Sequence, residues 1–135
     1  MKIYIASSWR NQHAVEMLTE ILRSKGHIVS SFIEQNYESG FGAEKGTSIE
    51  AWIASESGQR SFDFDTNAAR ESDLIIYIST SGKDAAVELG IAYASGVVIY
   101  GLYAKGEDFG LMRKVVTTWF DRYQDLLSQI DKIKI

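Results

Sequence analysis

One acidic residue, Glu88, stands alone in an apolar stretch of the chain. It lies in SGKDAAVELGIAYASG (residues 81–96), which has the small and apolar residues of a buried helix, and no other charged residue follows Asp84 in that helix. A carboxylate near a helix N-terminus is stabilised by the helix dipole by about 0.3–1 kcal/mol, so one interpretation is a solvated helix carboxylate. A lone charged residue on so apolar a helix is seldom buried without a charged or hydrogen-bonding partner or a functional role. The other interpretation is therefore a group that faces a substrate.

A second group of acidic residues precedes this stretch. Asp63 and Asp65 lie in SFDFDTNAARESD, which we predict to be helical and to lead into a buried strand near Asp73. Asp73 is typical of a polar residue at a helix-to-strand junction. Asp65 is harder to explain, because it flanks an aromatic residue on a segment whose other core-facing positions are apolar. Asp65 and Glu88 are therefore candidates to converge on one pocket.

Apolar runs alternate with amphipathic helical patterns along the chain. The run DLIIYI at residues 73–78 has no polar alternation, as expected where both faces of a parallel sheet are covered. Strands that alternate with helices predict an α/β fold, a flavodoxin-like or Rossmann-like doubly wound parallel sheet, with residues 1–135 as a single domain. The predicted strands are residues 2–6, 27–33, 73–78 and 97–102.

Two parts of the chain are less regular. Residues 34–58 are rich in Gly, Ser and Glu, and they are interpreted either as a mobile lid or as an insertion with a helix around residues 48–55. The tail from residue 108 onwards indicates one or two helices, and residues 130–135 alternatively form a short strand. The apolar positions that predict helix at the start of the tail are Leu111, Val115 and Trp119.

Composition and charge argue against several classes of function. A net charge of -4 and a pI of about 5.2 do not suit a surface that neutralises a nucleic-acid backbone, although a small phosphorylated ligand needs only one or two donors. The chain has no cysteine, and neither His13 nor His27 has metal-ligand spacing, so we expect no thiol chemistry, metal or cofactor. No apolar run has the length of a membrane span, so we expect a cytoplasmic protein without membrane contact.

Three loops are expected to meet at one edge of the predicted sheet. They are residues 7–10, 79–84 and 105–108, and each follows a predicted strand. In doubly wound sheets, ligands bind in the crevice at the carboxyl ends of the strands, where helix N-termini also point. Glu88 comes shortly after the second loop and is expected near that crevice.

The order of four motifs resembles the nucleoside 2-deoxyribosyltransferases and their nucleotide N-glycoside hydrolase relatives. The motifs are IYIASSW near the start, then FDFDTN, then DLIIYI, then VELGIAYASG. Together they span roughly residues 3–101, and FGLM with the following Trp119 is a looser match. Any one motif alone would be weak evidence for this resemblance, whereas the ordered set covers most of the chain.

The resemblance implies roles for individual residues. Glu88 matches the nucleophile that attacks the anomeric carbon and forms a glycosyl-enzyme ester, as in retaining glycosidases. Tyr4 matches the tyrosine that orients this carboxylate. Asp65 matches the acid that holds the nucleobase and helps to protonate the leaving nitrogen, a role that a raised pKa would favour. Trp9 matches an aromatic wall for the base, and Asp84 lies near a substrate-binding carboxylate of the family but is equally a candidate helix N-cap.

The chain departs from the family pattern at two places. Transferases usually have glycines before the Glu-Leu-Gly motif, whereas Ala85-Ala86-Val87 stands here and leaves less room at the sugar. Ser8-Trp9-Arg10 has the Ser-x-Arg form of the monophosphate hydrolases, which predicts a 5′-phosphate on Arg10, with a surface ion pair as the alternative. The other predicted substrate-binding residues are Ser8, Asp63, Ser79, Ser81 and Gly82.

Three functions stay open at this stage. The first is an enzyme that cleaves or exchanges the N-glycosidic bond of a nucleoside or nucleoside monophosphate through Glu88. The second is a nucleotide-binding module of the same fold without turnover, and the third is an NAD-glycohydrolase-type domain, suggested by fold shape alone. The resemblance also implies a homo-oligomer, because family sites are often completed by a neighbouring subunit, for which residues 119–123 are candidates.

Overall fold

Five parallel strands form the centre of the molecule. The computed structural model describes residues 1–34, 48–108 and 110–133. The strand order is β2-β1-β3-β4-β5, and each neighbouring pair is parallel, which confirms the predicted doubly wound α/β sheet. The strands are β1 (Lys2–Ala6), β2 (Ile28–Ser31), β3 (Leu74–Ile78), β4 (Val98–Leu102) and β5 (Thr118–Phe120).

Helices cover both faces of this sheet. Helices α1 and α5 pack on one face, and α3 and α4 pack on the other. Within the described ranges, no helix combines the length and apolar character needed to cross a membrane. The helices are α1 (Gln12–Ser24), α2 (Ile49–Ile53), α3 (Glu56–Glu71), α4 (Lys83–Ala94) and α5 (Tyr123–Asp131), with short 3₁₀ helices at Trp9–Asn11 and Leu111–Val115.

The alternation of β1 decides where its tyrosine points. Successive side chains of a strand face opposite sides of the sheet. Ile3 and Ile5 pack into the core under α1 and α5, so Tyr4 between them faces α3 and α4. The tyrosine is fully buried there. The same alternation in β3 sends Tyr77 to the α4 side and Ile76 to the α1 side.

The second strand is shorter than its apolar run predicts. Strand β2 ends at Ser31, and residues 32–34 are helical, although the sequence predicted a strand to residue 33. Phe32 and Ile33 both pack into the core under α1, which consecutive strand residues cannot do because they point to opposite faces. A helical turn therefore buries both. The proposed lid at residues 34–58 lies largely outside the described residues, and its predicted helix is present as α2.

The tail contains a strand where the sequence predicted helix. Trp119 lies in β5 opposite Gly101 of β4. The sequence predicted one helix because Leu111, Val115 and Trp119 are spaced four residues apart. In the structure Leu111 and Val115 are the first and last residues of a 3₁₀ helix, which ends before the strand begins. The alternative of a strand at residues 130–135 is wrong at Ile130, which is buried in α5, and Ile135 lies outside the described residues.

A close contact between β4 and β5 yields the first testable prediction. A methyl group added at Gly101 would come within 2.6 Å of the Trp119 ring, which also has Tyr77 edge-on at 6.0 Å between centroids. Gly101→Ala is therefore expected to overpack this layer and to lower the free energy of unfolding by about 1–3 kcal/mol. Urea unfolding measures the change.

Gly110→Ala is the matched control for this variant. An added methyl group at Gly110 would meet no atom of the described residues within 4 Å, and the Gly110 backbone has an extended conformation open to alanine. Equal stabilities for the two variants would contradict the packing argument.

Candidate active site

A pocket opens where the chain passes from one side of the sheet to the other. From β1 the chain turns to β2 on one side, and it later returns to β3 on the other side, so the crevice lies at the carboxyl ends of β1 and β3. The cavity has a volume of about 340 Å³. It is lined by Ser7, Ser8, Trp9, Phe32, Asp65, Gly82, Lys83, Asp84, Ala85 and Glu88.

A buried hydrogen bond joins the sheet to the helix that carries Glu88. The Tyr4 hydroxyl donates to Glu88 Oε1 at 3.0 Å. Tyr4 comes from the middle of β1, and Glu88 comes from the second turn of α4, where it lies on the helix side that also buries Ala85 and Leu89. Only 7% of Glu88 is exposed, which decides between the two readings of this carboxylate: it is a buried group on the pocket wall and not a solvated one.

Burial raises the proton affinity of Glu88 and Asp65, two of the three acidic residues that line the pocket. Loss of hydration is the largest cause that raises the pKa of Glu88 to about 9, and the charges of Asp65 and Asp84 add to it, while the Tyr4 hydrogen bond opposes it. Loss of hydration likewise raises the pKa of Asp65 to about 7, with Tyr4 opposing and Asp84 adding. Around neutral pH the two carboxyl groups therefore retain at least one proton between them.

Asp65 brings a further polar atom into this apolar setting. It projects from α3, and its Oδ1 is buried without a hydrogen-bond partner among the described residues. Buried polar atoms in folded proteins almost always have a partner, so an orphan oxygen on a pocket wall points to a group that a bound ligand supplies. This favours a ligand donor, or a proton passed to a ligand, at Asp65.

Two aromatic rings form the wall beside the first loop. Trp9 lies on the first 3₁₀ helix with 36% of its surface exposed, and its ring meets Phe32 edge-on at 5.7 Å between centroids. Sequence reasoning missed Phe32 because it was assigned to a strand. An aromatic residue at the ligand-binding end of a strand was the signal that could have found it.

Hydrogen bonds hold the loops after β1 and β3 together. The Ser7 hydroxyl donates to the Ile78 carbonyl at 2.6 Å, and the Asn11 amide donates to Ser7 Oγ at 2.9 Å and to the Thr80 carbonyl at 2.8 Å. Ser8 Oγ donates to the same carbonyl of Thr80 at 3.4 Å. The sequence placed Ser7 only within the loop at residues 7–10, without a role of its own, and it did not single out Asn11.

The first turn of α4 differs from the sequence expectation. Gly82 is the N-cap residue, so Asp84 is not the cap but lies within the first turn on the pocket wall. Lys83, which sequence reasoning missed, is the one cation among the described residues that line the cavity. Ala85 lines it as well, whereas Ala86 and Val87 are exposed and do not, so only one of the three residues that replace family glycines narrows the pocket.

Four predicted substrate-binding residues lie outside the cavity wall. Arg10 is exposed on the 3₁₀ helix, and Asp63 is exposed on α3. The side chains of Ser79 and Ser81 instead make hydrogen bonds to other groups of the protein. The Ser79 hydroxyl donates to the Leu102 carbonyl at 2.9 Å, and the Ser81 hydroxyl donates to Tyr77 at 2.7 Å.

Asp73 occupies the junction that its sequence context predicted. Its carboxylate accepts a hydrogen bond from the Lys2 amide at 2.8 Å, and its own amide donates to the Lys2 carbonyl at 2.8 Å. Both bonds fix the start of β3 beside β1. The catalytic and substrate-binding roles predicted for the site residues stay predictions.

The sheet order defines the protein as a flavodoxin-like α/β protein, and the carboxyl pair lies on the wall of a ligand-sized pocket in its crevice. Compared by sequence, the chain matches no protein-family model and no curated protein. Solved structures do match over nearly the whole chain. They include a 2-deoxyribosyltransferase from Bacillus psychrosaccharolyticus, with a TM-score of 0.71 and 22% identity over 100% of this chain and 93% of that one.

Two further structures share the fold. The CMP N-glycosidase BcmB of Clostridium botulinum has a TM-score of 0.62 and 18% identity over 97% of this chain and 99% of that one. A conserved protein from Enterococcus faecalis V583 has a TM-score of 0.67 and 19% identity over 98% of each chain. At these identities the likeness establishes a common fold, and at that level it confirms the resemblance seen in the sequence motifs.

The raised pKa of Glu88 predicts a specific pH dependence of stability. The folded protein holds a proton on this group up to a pKa of about 9, whereas the unfolded chain releases it near the ordinary value of 4.5. Its stabilising contribution is therefore complete below about pH 4.5 and is lost as pH rises towards 9, by up to about 1.4 kcal/mol per pH unit. Glu88→Gln is expected to flatten this decline and to be more stable than the unsubstituted protein at pH 9.

Urea unfolding at several pH values between 6 and 9 measures this effect. Glu20→Gln, an exposed position on α1, is the matched control and should follow the unsubstituted protein. A Glu88→Gln profile that runs parallel to both would show that Glu88 is not buried as described.

Proposed function

We propose that this protein cleaves or exchanges the N-glycosidic bond of a nucleoside, deoxynucleoside or nucleoside 5′-monophosphate. The observation that carries the proposal is the buried Tyr4–Glu88 hydrogen bond on the wall of a pocket that also contains Asp65. Most enzymes that cleave glycosides use two carboxyl groups on either side of the substrate bond, because one attacks carbon and the other supplies a proton.

Glu88 takes the part of the nucleophile in this proposal. One of its oxygens attacks the anomeric carbon as the bond from that carbon to the base nitrogen breaks, and an ester between Glu88 and the sugar forms. Water then attacks the same carbon in hydrolysis, or a second base attacks it in exchange, and either step releases the carboxylate. Splitting one displacement into two avoids a free oxocarbenium ion.

Asp65 acts as the proton donor for the departing base. A carboxyl group whose pKa is raised to about 7 by burial retains its proton near neutral pH and gives it up to a base nitrogen whose electron pair is being freed. The buried Oδ1 without a partner supports this assignment, because a base in the pocket would offer it a polar atom. The charge of Asp84 at the pocket wall helps to keep the proton on Asp65.

Tyr4 positions the nucleophile. Its hydroxyl donates to Glu88 Oε1, which favours the ionised form and leaves Oε2 as the oxygen for attack. In the empty pocket the higher proton affinity belongs to Glu88, so the reactive arrangement needs the proton on Asp65 instead. A positive charge developing on the sugar stabilises the carboxylate and drives that rearrangement in the transition state.

The remaining wall residues support a nucleotide-shaped ligand. Trp9 and Phe32 offer an aromatic surface for a base, and Ser8 lies beside them. In this proposal a 5′-phosphate binds Lys83 in the first turn of α4. It does not bind Arg10, as the sequence predicted, because Lys83 lines the cavity and Arg10 does not. The structural neighbours, a 2-deoxyribosyltransferase and a CMP N-glycosidase, agree with this class of substrate.

The decisive experiment offers the protein several substrates and separates the products by chromatography. Deoxynucleosides with a second free base, deoxynucleoside monophosphates, and NAD are tested in parallel. Base exchange identifies a transferase, and base release without exchange identifies a hydrolase. Release of nicotinamide from NAD alone would favour the NAD-glycohydrolase alternative, and thermal stabilisation by a ligand without turnover would favour the binding module.

Loss of the nucleophile should abolish the reaction. Glu88→Ala and Glu88→Gln are expected to lower kcat by about 1,000-fold or more, because neither side chain can form the ester. Mass spectrometry of the quenched reaction should show one added glycosyl group on the peptide that contains Glu88. Glu20→Gln, on the exposed side of α1, should retain full activity. Undiminished turnover by Glu88→Ala would remove Glu88 from this role.

The pH dependence of kcat/KM should report the shared proton. The reactive pair holds one proton, so the profile is expected to be bell-shaped with its maximum between about pH 7 and about pH 9. Tyr4→Phe removes an interaction that lowers the pKa of both Asp65 and Glu88, so both limbs should move to higher pH and the maximum should fall. Tyr123→Phe, at an exposed tyrosine, is the control. A profile that Tyr4→Phe leaves unshifted would contradict the positioning role.

A further inference from the structure

We propose that Asn11 is a positioning residue, which holds the Trp9 side of the pocket against the start of α4 and so determines how tightly the base of the substrate is bound. Asn11 itself does not line the cavity. The effect on the base rests on the proposed function, whereas the hold of Asn11 on the two loops is a property of the chain alone.

Asn11 occupies a position at which asparagine normally has a different use. It is the N-cap residue of α1, where the side-chain oxygen of an asparagine usually accepts a hydrogen bond from the first turn of the helix. The Asn11 side chain makes no such bond. Local rules of this kind are most often broken at functional or strained sites, so the amide is expected to have another role.

The amide nitrogen of Asn11 faces the loop after β3. It donates to the Thr80 carbonyl at 2.8 Å and to Ser7 Oγ at 2.9 Å. The Ser7 hydroxyl gives its own proton to the Ile78 carbonyl at 2.6 Å, so Ser7 Oγ accepts from Asn11. Both partners of Asn11 are therefore acceptors, which identifies the nitrogen as the atom that points to them. A side chain without an N–H donor cannot replace it.

These bonds lie beyond the end of the paired strands. The pairing of β1 with β3 ends at Ala6 and Tyr77, and Asn11 joins the two loops that follow. Thr80 lies shortly before Gly82, the N-cap residue of α4, and the first turn of α4 lines the cavity. Asn11 therefore ties the first 3₁₀ helix to the segment that leads into the α4 wall of the pocket.

Trp9 is the side chain through which this tie reaches a ligand. It lies on the same 3₁₀ turn as Asn11, whose backbone N–H closes the turn by donating to the Ser8 carbonyl at 2.9 Å. The Trp9 ring lines the cavity and also contacts Phe32 edge-on. Loss of the Asn11 side-chain bonds keeps this ring contact but lets the turn move relative to α4. A displacement of about 1 Å in a positioning group is enough to weaken a site measurably.

Backbone order parameters from NMR test the hold on the loops in the free protein, without any substrate. Asn11→Asp keeps the shape of the side chain and its capacity to cap α1, but it turns a carboxylate towards the Thr80 carbonyl. We expect the order parameters of residues 80–82 to fall from the rigid value of about 0.85 to about 0.6 or less. If Asn11 served only as a helix cap, the same variant would leave residues 80–82 unchanged.

Gln124→Ala, which removes an exposed amide side chain on α5, is the matched control and should leave these order parameters unchanged. Two results would overturn the proposal. Unchanged order parameters at residues 80–82 of Asn11→Asp would mean that Asn11 has no hold on this loop. A fall that extends through β3 would mean that Asn11 stabilises the fold in general and does not position the loop.

Steady-state kinetics, on whichever nucleoside or nucleotide releases its base, test the effect on the substrate. Asn11→Ala adds no charge to the pocket and leaves the Tyr4–Glu88 bond in place. It is therefore expected to raise KM by about 10-fold, while kcat changes by less than about 3-fold and both limbs of the pH profile keep their positions. A lowered kcat with KM unchanged, or a shifted limb, would contradict a role in positioning Trp9.

A double-mutant cycle with Trp9→Ala decides whether Asn11 acts through Trp9. In the Trp9→Ala background, Asn11→Ala should raise KM by less than about 2-fold, because the surface that Asn11 positions is gone. An equal rise of KM in both backgrounds would exclude this route. Absence of base release from every substrate would contradict the proposed function and with it the effect on the base, and the order parameters would still decide whether Asn11 holds the loops.

Discussion

Burial of one carboxyl group against one tyrosine hydroxyl is the constraint on which the site depends. Only 7% of Glu88 is exposed, and the Tyr4 hydroxyl is the only hydrogen-bond donor that the described chain supplies to it directly. Such a group is expensive to ionise, so it stays protonated until a positive charge appears nearby. A sugar carbon that loses its base presents that charge, which links the cost of burial to the chemistry proposed.

Burial of Glu88 also lowers the stability of the folded protein, and packing elsewhere in the fold must offset this loss. A carboxyl group with a raised pKa contributes less to stability at neutral and alkaline pH than an apolar residue of similar size would. Two apolar layers compensate, one under α1 and α5 and one under α3 and α4. The strands between them are buried on both faces, most completely β3. Enzymes commonly combine an active site that lowers stability with a well-packed core that restores it.

Much of this architecture followed from simple patterns in the sequence, and the failures have physical causes. The apolar runs of β1, β3 and β4 and the isolation of Glu88 were readable because both arise from burial. Phe32 and the fifth strand were misread, since a local pattern does not say which layer a side chain joins, and only pairing with β4 makes residues 118–120 a strand. Lys83 was missed because its position at the start of α4, not its residue type, brings it to the pocket, and Asn11 was missed because the pairing of β1 with β3 is what places its amide beside the Thr80 carbonyl.

The position of Tyr4 within the sheet has a consequence for how the site can open. Its strand is hydrogen-bonded on both sides, with Tyr4 opposite Ser30 of β2 and Ile75 of β3, so we expect its backbone amides to exchange slowly. Glu88 and Asp65 come from two helices that pack on each other. Any local opening is therefore expected to move the helices and to leave the Tyr4 hydroxyl in place, so that the strand fixes the position to which both carboxyl groups return.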